Sequence, residues 1–245
     1  MTTTRVWRFL LAGASLVPLA AQIPAKFQNL KILPKEVPRA ELIATMRGMA
    51  GALGVRCTHC HVGPDNLQGM DFATDEKDAK RTARVMIEMV RAMNADFLSK
   101  TPPRDEHRMQ VTCYTCHRAD RRPQRPLDEI LFDTAAAQGV PAALAQYKKF
   151  REEFYGSGLY DFRERTWNVL GARLLDNKRP ADALAAFQAN LELFPKSLIA
   201  LVSAGQLAAN AGDKSGAEGY LRRALELDPK NGMALRGLEA LKPRP

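Results

Sequence analysis

Two short segments of this 245-residue chain hold all four of its cysteines and three of its four histidines. They read Cys57-Thr58-His59-Cys60-His61 and Cys113-Tyr114-Thr115-Cys116-His117. Both have the form C-x-x-C-H, the attachment pattern of c-type haem. On one helical turn, two cysteines three residues apart point the same way, so both can bond the vinyl groups of a single porphyrin. The histidine that follows then lies under the iron and offers its imidazole. A single zinc site with four cysteine ligands would leave the histidine after each pair unexplained. A redox-active C-x-x-C would follow a strand, and no strand-rich pattern is present. The expectation is two haem c groups on Cys57, Cys60, Cys113 and Cys116, with His61 and His117 as axial ligands. His59 is a spacer directed away from iron, read as a surface residue. His107 lies in the polar loop before Cys113 and is read as solvated.

Each iron has a second axial position, and methionine is the obvious donor for an electron-transfer haem. Residues 41–53 read as a helix with Leu42, Ile43, Met46, Ala50 and Leu53 on its apolar face, ended by Gly54 just before the first motif. Met46 lies on that face, with Met49 as its rival. Residues 76–98 read as one long periodic helix with Val85, Met86, Met89, Val90, Met93 and Phe97 near one face. Periodicity alone does not choose among Met86, Met89 and Met93, and a methionine-rich core stripe has the same spacing.

These segments carry a family resemblance. The matching stretches are Phe27 to Leu33, the helix holding Met46, the run Arg84-Val85-Met86-Ile87-Glu88-Met89-Val90-Arg91-Ala92-Met93-Asn94, and Val111 to Arg118. From Phe27 to about Gln124 the chain resembles one half of the multihaem cytochrome subunit of bacterial photosynthetic reaction centres. That resemblance implies helix–turn–haem-helix units. It favours Met46, eleven residues before Cys57, and Met86, two after Arg84, as distal ligands. It departs from the family in carrying two haem motifs rather than four. The family's ligating loop histidine is not carried over to His107, which occupies a different place in its loop.

Residues 1–21 read as an export signal, with Arg5 and Arg8 ahead of an apolar stretch ending at Ala20 and Ala21. They place the mature chain in the periplasm, with membrane association only through a retained signal or a membrane partner. No other segment is apolar for long enough to span a bilayer. After the second motif, Arg121-Arg122-Pro123-Gln124-Arg125-Pro126 forms a basic, proline-punctuated connector. The reading is a dihaem domain over 22–126 and a helical domain over 127–245. Helices are expected near 127–138, 141–155, 161–176, 180–194, 197–211, 214–227 and 231–241. Trp167, Leu170, Gly171, Leu174, Ala183, Phe187 and Pro195 occupy the offsets of a tetratricopeptide repeat (TPR). A shift of 34 residues gives Leu201, Ala204, Gly205, Ala208, Ala217, Leu221 and Pro229. The fold class is all-α, a dihaem cytochrome domain followed by TPR-like hairpins.

The formal charge of +9 first points to an anionic partner such as nucleic acid. Its distribution argues otherwise. The excess is +6 over 22–126 and only +1 over 127–245. Haem propionates would absorb much of it, with Arg47, Arg56, Arg81, Arg84 and Arg118 the nearest cations in sequence, so no nucleic-acid partner is expected. The function expected is exported electron transfer between redox partner proteins, with the repeats docking a partner and no catalytic residues. Two alternatives are a dihaem peroxidase with one open iron and a haem-based redox sensor acting through the repeats.

Overall fold

The computed structural model describes residues 24, 26–102 and 109–242. Residues 1–21, read as an export signal, and His107 lie outside the described residues. The protein is all-α, and its chain divides into two compact units at Arg122/Pro123. Among the described residues no helix is long and apolar enough to cross a membrane.

The first unit contains α1 (Arg39–Leu53), α2 (Asp78–Ala92) and the short α3 (Cys113–His117). Gly54 ends α1 in the left-handed region, at φ 63°. There the Gly54 N–H donates to the Gly51 carbonyl (3.2 Å) and the Val55 N–H to the Ala50 carbonyl (2.9 Å). This pair of bonds is a Schellman stop, and it satisfies carbonyls that a helix end otherwise leaves open. A Cβ at position 54 would lie 2.1 Å from the Ala119 carbonyl oxygen, so space also demands glycine.

The helix read over 76–98 is not continuous. Beyond Ala92 the chain makes a π turn over Met93–Phe97 and a 3-10 turn over Leu98–Lys100. Apolar residues recur through this stretch, so periodicity alone does not reveal the added residue. Insertions of this kind re-aim side chains and are frequent near functional sites.

A polar knot on Asp75 fastens the N-terminal strap to α2. Asp75 accepts from Lys31 Nζ (2.7 Å), Asn29 Nδ2 (2.9 Å) and Arg84 (2.7 Å). These cations hold its carboxyl well below the usual carboxylate range, the Arg84 bond first and the Lys31 bond second. Beside it, Lys80 is buried, and its ammonium donates to the carbonyls of Phe72 (2.8 Å), Ala73 (3.0 Å) and Thr74 (2.7 Å). A buried ammonium is tolerable when its donors are satisfied in this way.

The second unit comprises α4 (Leu127–Gln138), α5 (Val140–Phe154), α6 (Glu164–Asp176), α7 (Pro180–Leu193), α8 (Leu198–Asn210), α9 (Lys214–Leu227) and α10 (Gly232–Leu241). Consecutive helices pack in pairs, α4 on α5, α6 on α7 and α8 on α9, with α10 against α8 and α9. Residues one 34-residue period apart take matching buried positions. Trp167, Leu170, Leu174, Ala183 and Phe187 are buried, as are Leu201, Ala204, Ala208, Ala217 and Leu221. Gly171 admits the Phe187 ring and Gly205 admits Leu221, since a Cβ at either position would come within 2.5 Å and 2.7 Å respectively. Tyr147 packs edge-on against Trp167 and Phe162, and its hydroxyl donates to the Phe162 carbonyl at 2.7 Å.

Candidate haem sites

The first motif sits on a tight turn rather than a full helix. A 3-10 turn covers Cys57–His59, and the N–H groups of Cys60 (3.2 Å) and His61 (3.0 Å) both donate to the Cys57 carbonyl. The His61 ring meets Phe72 edge-on, with centroids 5.1 Å apart. Burial, then the nearby Lys80 charge, lowers the His61 pKa to about 4. The imidazole is therefore neutral, the state that can donate a lone pair to a metal. Burial also pushes the Cys60 thiol up. His59 is half-buried rather than a freely exposed spacer. The turn is braced from outside, where Thr58 Oγ1 donates to Asp65 (2.7 Å) and Lys77 donates to the Thr58 carbonyl.

The second motif forms α3. The Thr112 N–H donates to Thr115 Oγ1 (3.0 Å), which caps its start. Two left-handed residues, Arg118 (φ 49°) and Ala119 (φ 64°), end it. Non-glycine residues pay for that conformation, about 1 kcal/mol each. The reversal brings the Asp120 carbonyl to 3.0 Å from His117 Nδ1. With Nδ1–H donating to that carbonyl, Nε2 is left as the lone-pair nitrogen. A carbonyl accepting from the far ring nitrogen in this way fixes the tautomer and raises the basicity of a metal-bound imidazole. The donor set on α3 thus fits a haem iron.

α1 joins the two motifs. Its last residues lead through Gly54 into Cys57, and it also packs against α3, where the Ala119 N–H donates to the Ala52 carbonyl at 2.9 Å. Met46 and Met49 on α1 are both half-buried. On α2, Val85, Met86 and Met89 are exposed, and so is Phe97 at the end of the π turn that follows. An apolar face of this kind is unusual unless something covers it. None of the four cysteines pairs with another in a disulfide. Among the described residues no group of three or more His, Cys, Asp or Glu side chains converges to hold a metal ion.

Residues 19–147 set these motifs in a known context. They match the family described as photosynthetic reaction centre cytochrome C subunit, over more than half of the chain. The chain belongs to this family. The match runs beyond the first unit into α4 and α5. The photosynthetic reaction center cytochrome c subunit of Thermochromatium tepidum is 32% identical over 115 residues, covering 46% of this chain and 25% of that protein. Cytochrome c-554 of Chloroflexus aurantiacus is 41% identical over 69 residues, covering 28% of this chain and 15% of that protein. The chain thus spans a quarter or less of the length of these relatives. Membership in a cytochrome c family implies covalently bound haem c.

The basic residues are less available than charge counting implied. Arg84 is taken up by Asp75, Arg81 pairs with Asp78, and Arg56 reaches Asp65 at 3.4 Å. Sequence reasoning missed this knot because its members lie far apart in the chain. It also missed Phe72 beside His61 and the side chain of Asn94, whose partner is 17 residues away.

Proposed function

We propose that this chain is an exported dihaem electron carrier, with one haem c on Cys57 and Cys60 and another on Cys113 and Cys116. His61 and His117 serve as the proximal ligands, and Met46 and Met86 as the distal ones. The observation that carries the reading is the His117 Nδ1 contact to the Asp120 carbonyl, which leaves Nε2 to face a metal. Each haem, when bound, would cycle between ferric and ferrous iron. The chain's own part is to hold and orient each imidazole, to close the first site with Phe72 and Lys80, and to place the two motifs together at the end of α1. No substrate is converted on this reading, so the protein is a carrier and not an enzyme.

The remaining parts of the proposal follow from sequence and family. Residues 1–21 direct the chain to the periplasm, where family members named for reaction centres support a membrane-associated redox partner. The period of 34 residues over α6–α9 supports a TPR-like module that docks a partner protein. The domains are then the signal over 1–21, the dihaem domain over 22–126 and the repeat domain over 127–245.

The ferric spectrum of the purified holoprotein tests the ligation. Low-spin iron with a methionine–iron charge-transfer band is expected. High-spin iron without that band would overturn the carrier reading and favour peroxidase-type chemistry at an open iron.

A further inference from the structure

The two motifs differ in how they connect to their preceding helix. At the first, only Gly54, Val55 and Arg56 separate the end of α1 from Cys57. At the second, 20 residues separate the end of α2 from Cys113. A methionine on α2 would have no defined relation to the second haem if that connection were the only link.

The Asn94 carboxamide removes the difference. Its Oδ1 accepts from the Val111 N–H at 2.8 Å, and its Nδ2 donates to the Val111 carbonyl at 2.8 Å. One side chain thus satisfies both backbone groups of a residue 17 positions away, in the manner of a strand partner. Asn94 sits inside the π turn that interrupts the helix, where the added residue re-aims its side chain. Val111 directly precedes the capping residue Thr112 of α3.

The clamp also makes the reach of the two helices equal. Met46 lies eleven positions before Cys57. From Met86 the path runs eight residues to Asn94, one step across the clamp and two residues from Val111 to Cys113, which is again eleven positions. On the same path Met89 would be eight positions away, as Met49 is from Cys57, and Met93 four, so the count excludes Met93 and the family resemblance decides for Met86 over Met89. The clamp thereby gives α2 the same short tether to its motif that the Gly54 turn gives α1.

We propose that Asn94 is a positioning residue for the second haem: by bridging to Val111 it sets the register of α2 against the Cys113–His117 motif, with Met86 as the distal ligand. This rests on the dihaem reading with methionine ligation given above. The side chain itself touches no iron and acts through the helix.

The test compares holoprotein of the wild type with Met86→Ala, Asn94→Ala and Asn94→Asp, by ferric spectrum and redox titration. Met86→Ala is expected to remove about half of the methionine–iron band, one haem of two. Asn94→Ala is expected to weaken the same half and to move one titration wave while leaving the other in place. Asn94→Asp keeps the acceptor for the Val111 N–H and loses the donor, so it should fall between. A full band and two unmoved waves in Asn94→Ala would overturn the proposal while leaving the ligand assignment intact. A full band in Met86→Ala, with loss in Met89→Ala or Met93→Ala, would overturn the ligand assignment itself. If Asn94→Ala does not take up haem, Asn94→Asp decides by the same two readouts.

Discussion

Replacing Gly54 by alanine perturbs the one point where the first helix, the first motif and the end of the second motif meet. Two costs add. The residue sits at φ 63°, where an L side chain is disfavoured by about 1 kcal/mol. The new Cβ would also stand 2.1 Å from the Ala119 carbonyl oxygen, which is backbone and has little freedom to yield. The Ala119 N–H is held at 2.9 Å by the Ala52 carbonyl, so relief of the clash would strain that bond too. Overpacking of this kind costs about 1–3 kcal/mol, for a total of about 2–4 kcal/mol. Gly54→Asn separates the two costs, because asparagine tolerates the left-handed region and yet carries the same Cβ. Denaturant unfolding of the holoprotein, followed by haem absorbance, measures both variants. The expected result is a large loss for both, with asparagine recovering no more than about 1 kcal/mol relative to alanine. Wild-type stability in Gly54→Asn would refute the close approach of α1 to the Ala119 turn.

Other substitutions probe other contacts. Gly171→Ala should destabilise the second unit by about 1–3 kcal/mol through the Phe187 ring, read by thermal unfolding of the full chain. Tyr147→Phe removes the buried hydroxyl donated to Phe162 and should cost about 1–2 kcal/mol in denaturant titration. Lys80→Met takes the ammonium from the Phe72 and Thr74 carbonyls, while the Ala73 carbonyl keeps Asn29 Nδ2, and should cost about 2 kcal/mol, with the loss confined to the first unit. Asp75 has a folded-state pKa below its unfolded one, so its contribution is full above the ordinary carboxylate pKa and fades as pH falls through the folded value. Melts of wild type and Asp75→Asn should accordingly differ most near neutrality and converge in acid. Equal separation at every pH would contradict the ion-paired Asp75.

Much of the fold was legible because its signals are local. The glycine that stops α1 and the apolar period of the second unit each lie inside the element they define. The helix ends expected there agree with the observed ones to within three residues. The C-x-x-C-H motifs are local in the same sense. The 76–98 helix was misread because Met93 and Phe97 continue the apolar spacing through the π turn, so nothing in the pattern marks the inserted residue. Asn94 in that turn looks like any polar residue in a helix, and only its pairing with Val111 shows what it does. Arg84 was read as one of the nearest cations in sequence to a haem propionate, and the carboxylate that occupies it lies nine residues upstream, just before the start of α2.

On the proposed function this one chain holds two covalent haems on its two motifs. The mass of the intact protein, purified from cells that mature c-type cytochromes, tests it most directly. The expected mass is that of the polypeptide plus two haem groups, with no thiol left to react with an alkylating agent. A chain carrying no haem or one, with two or four cysteines still open to alkylation, would contradict it.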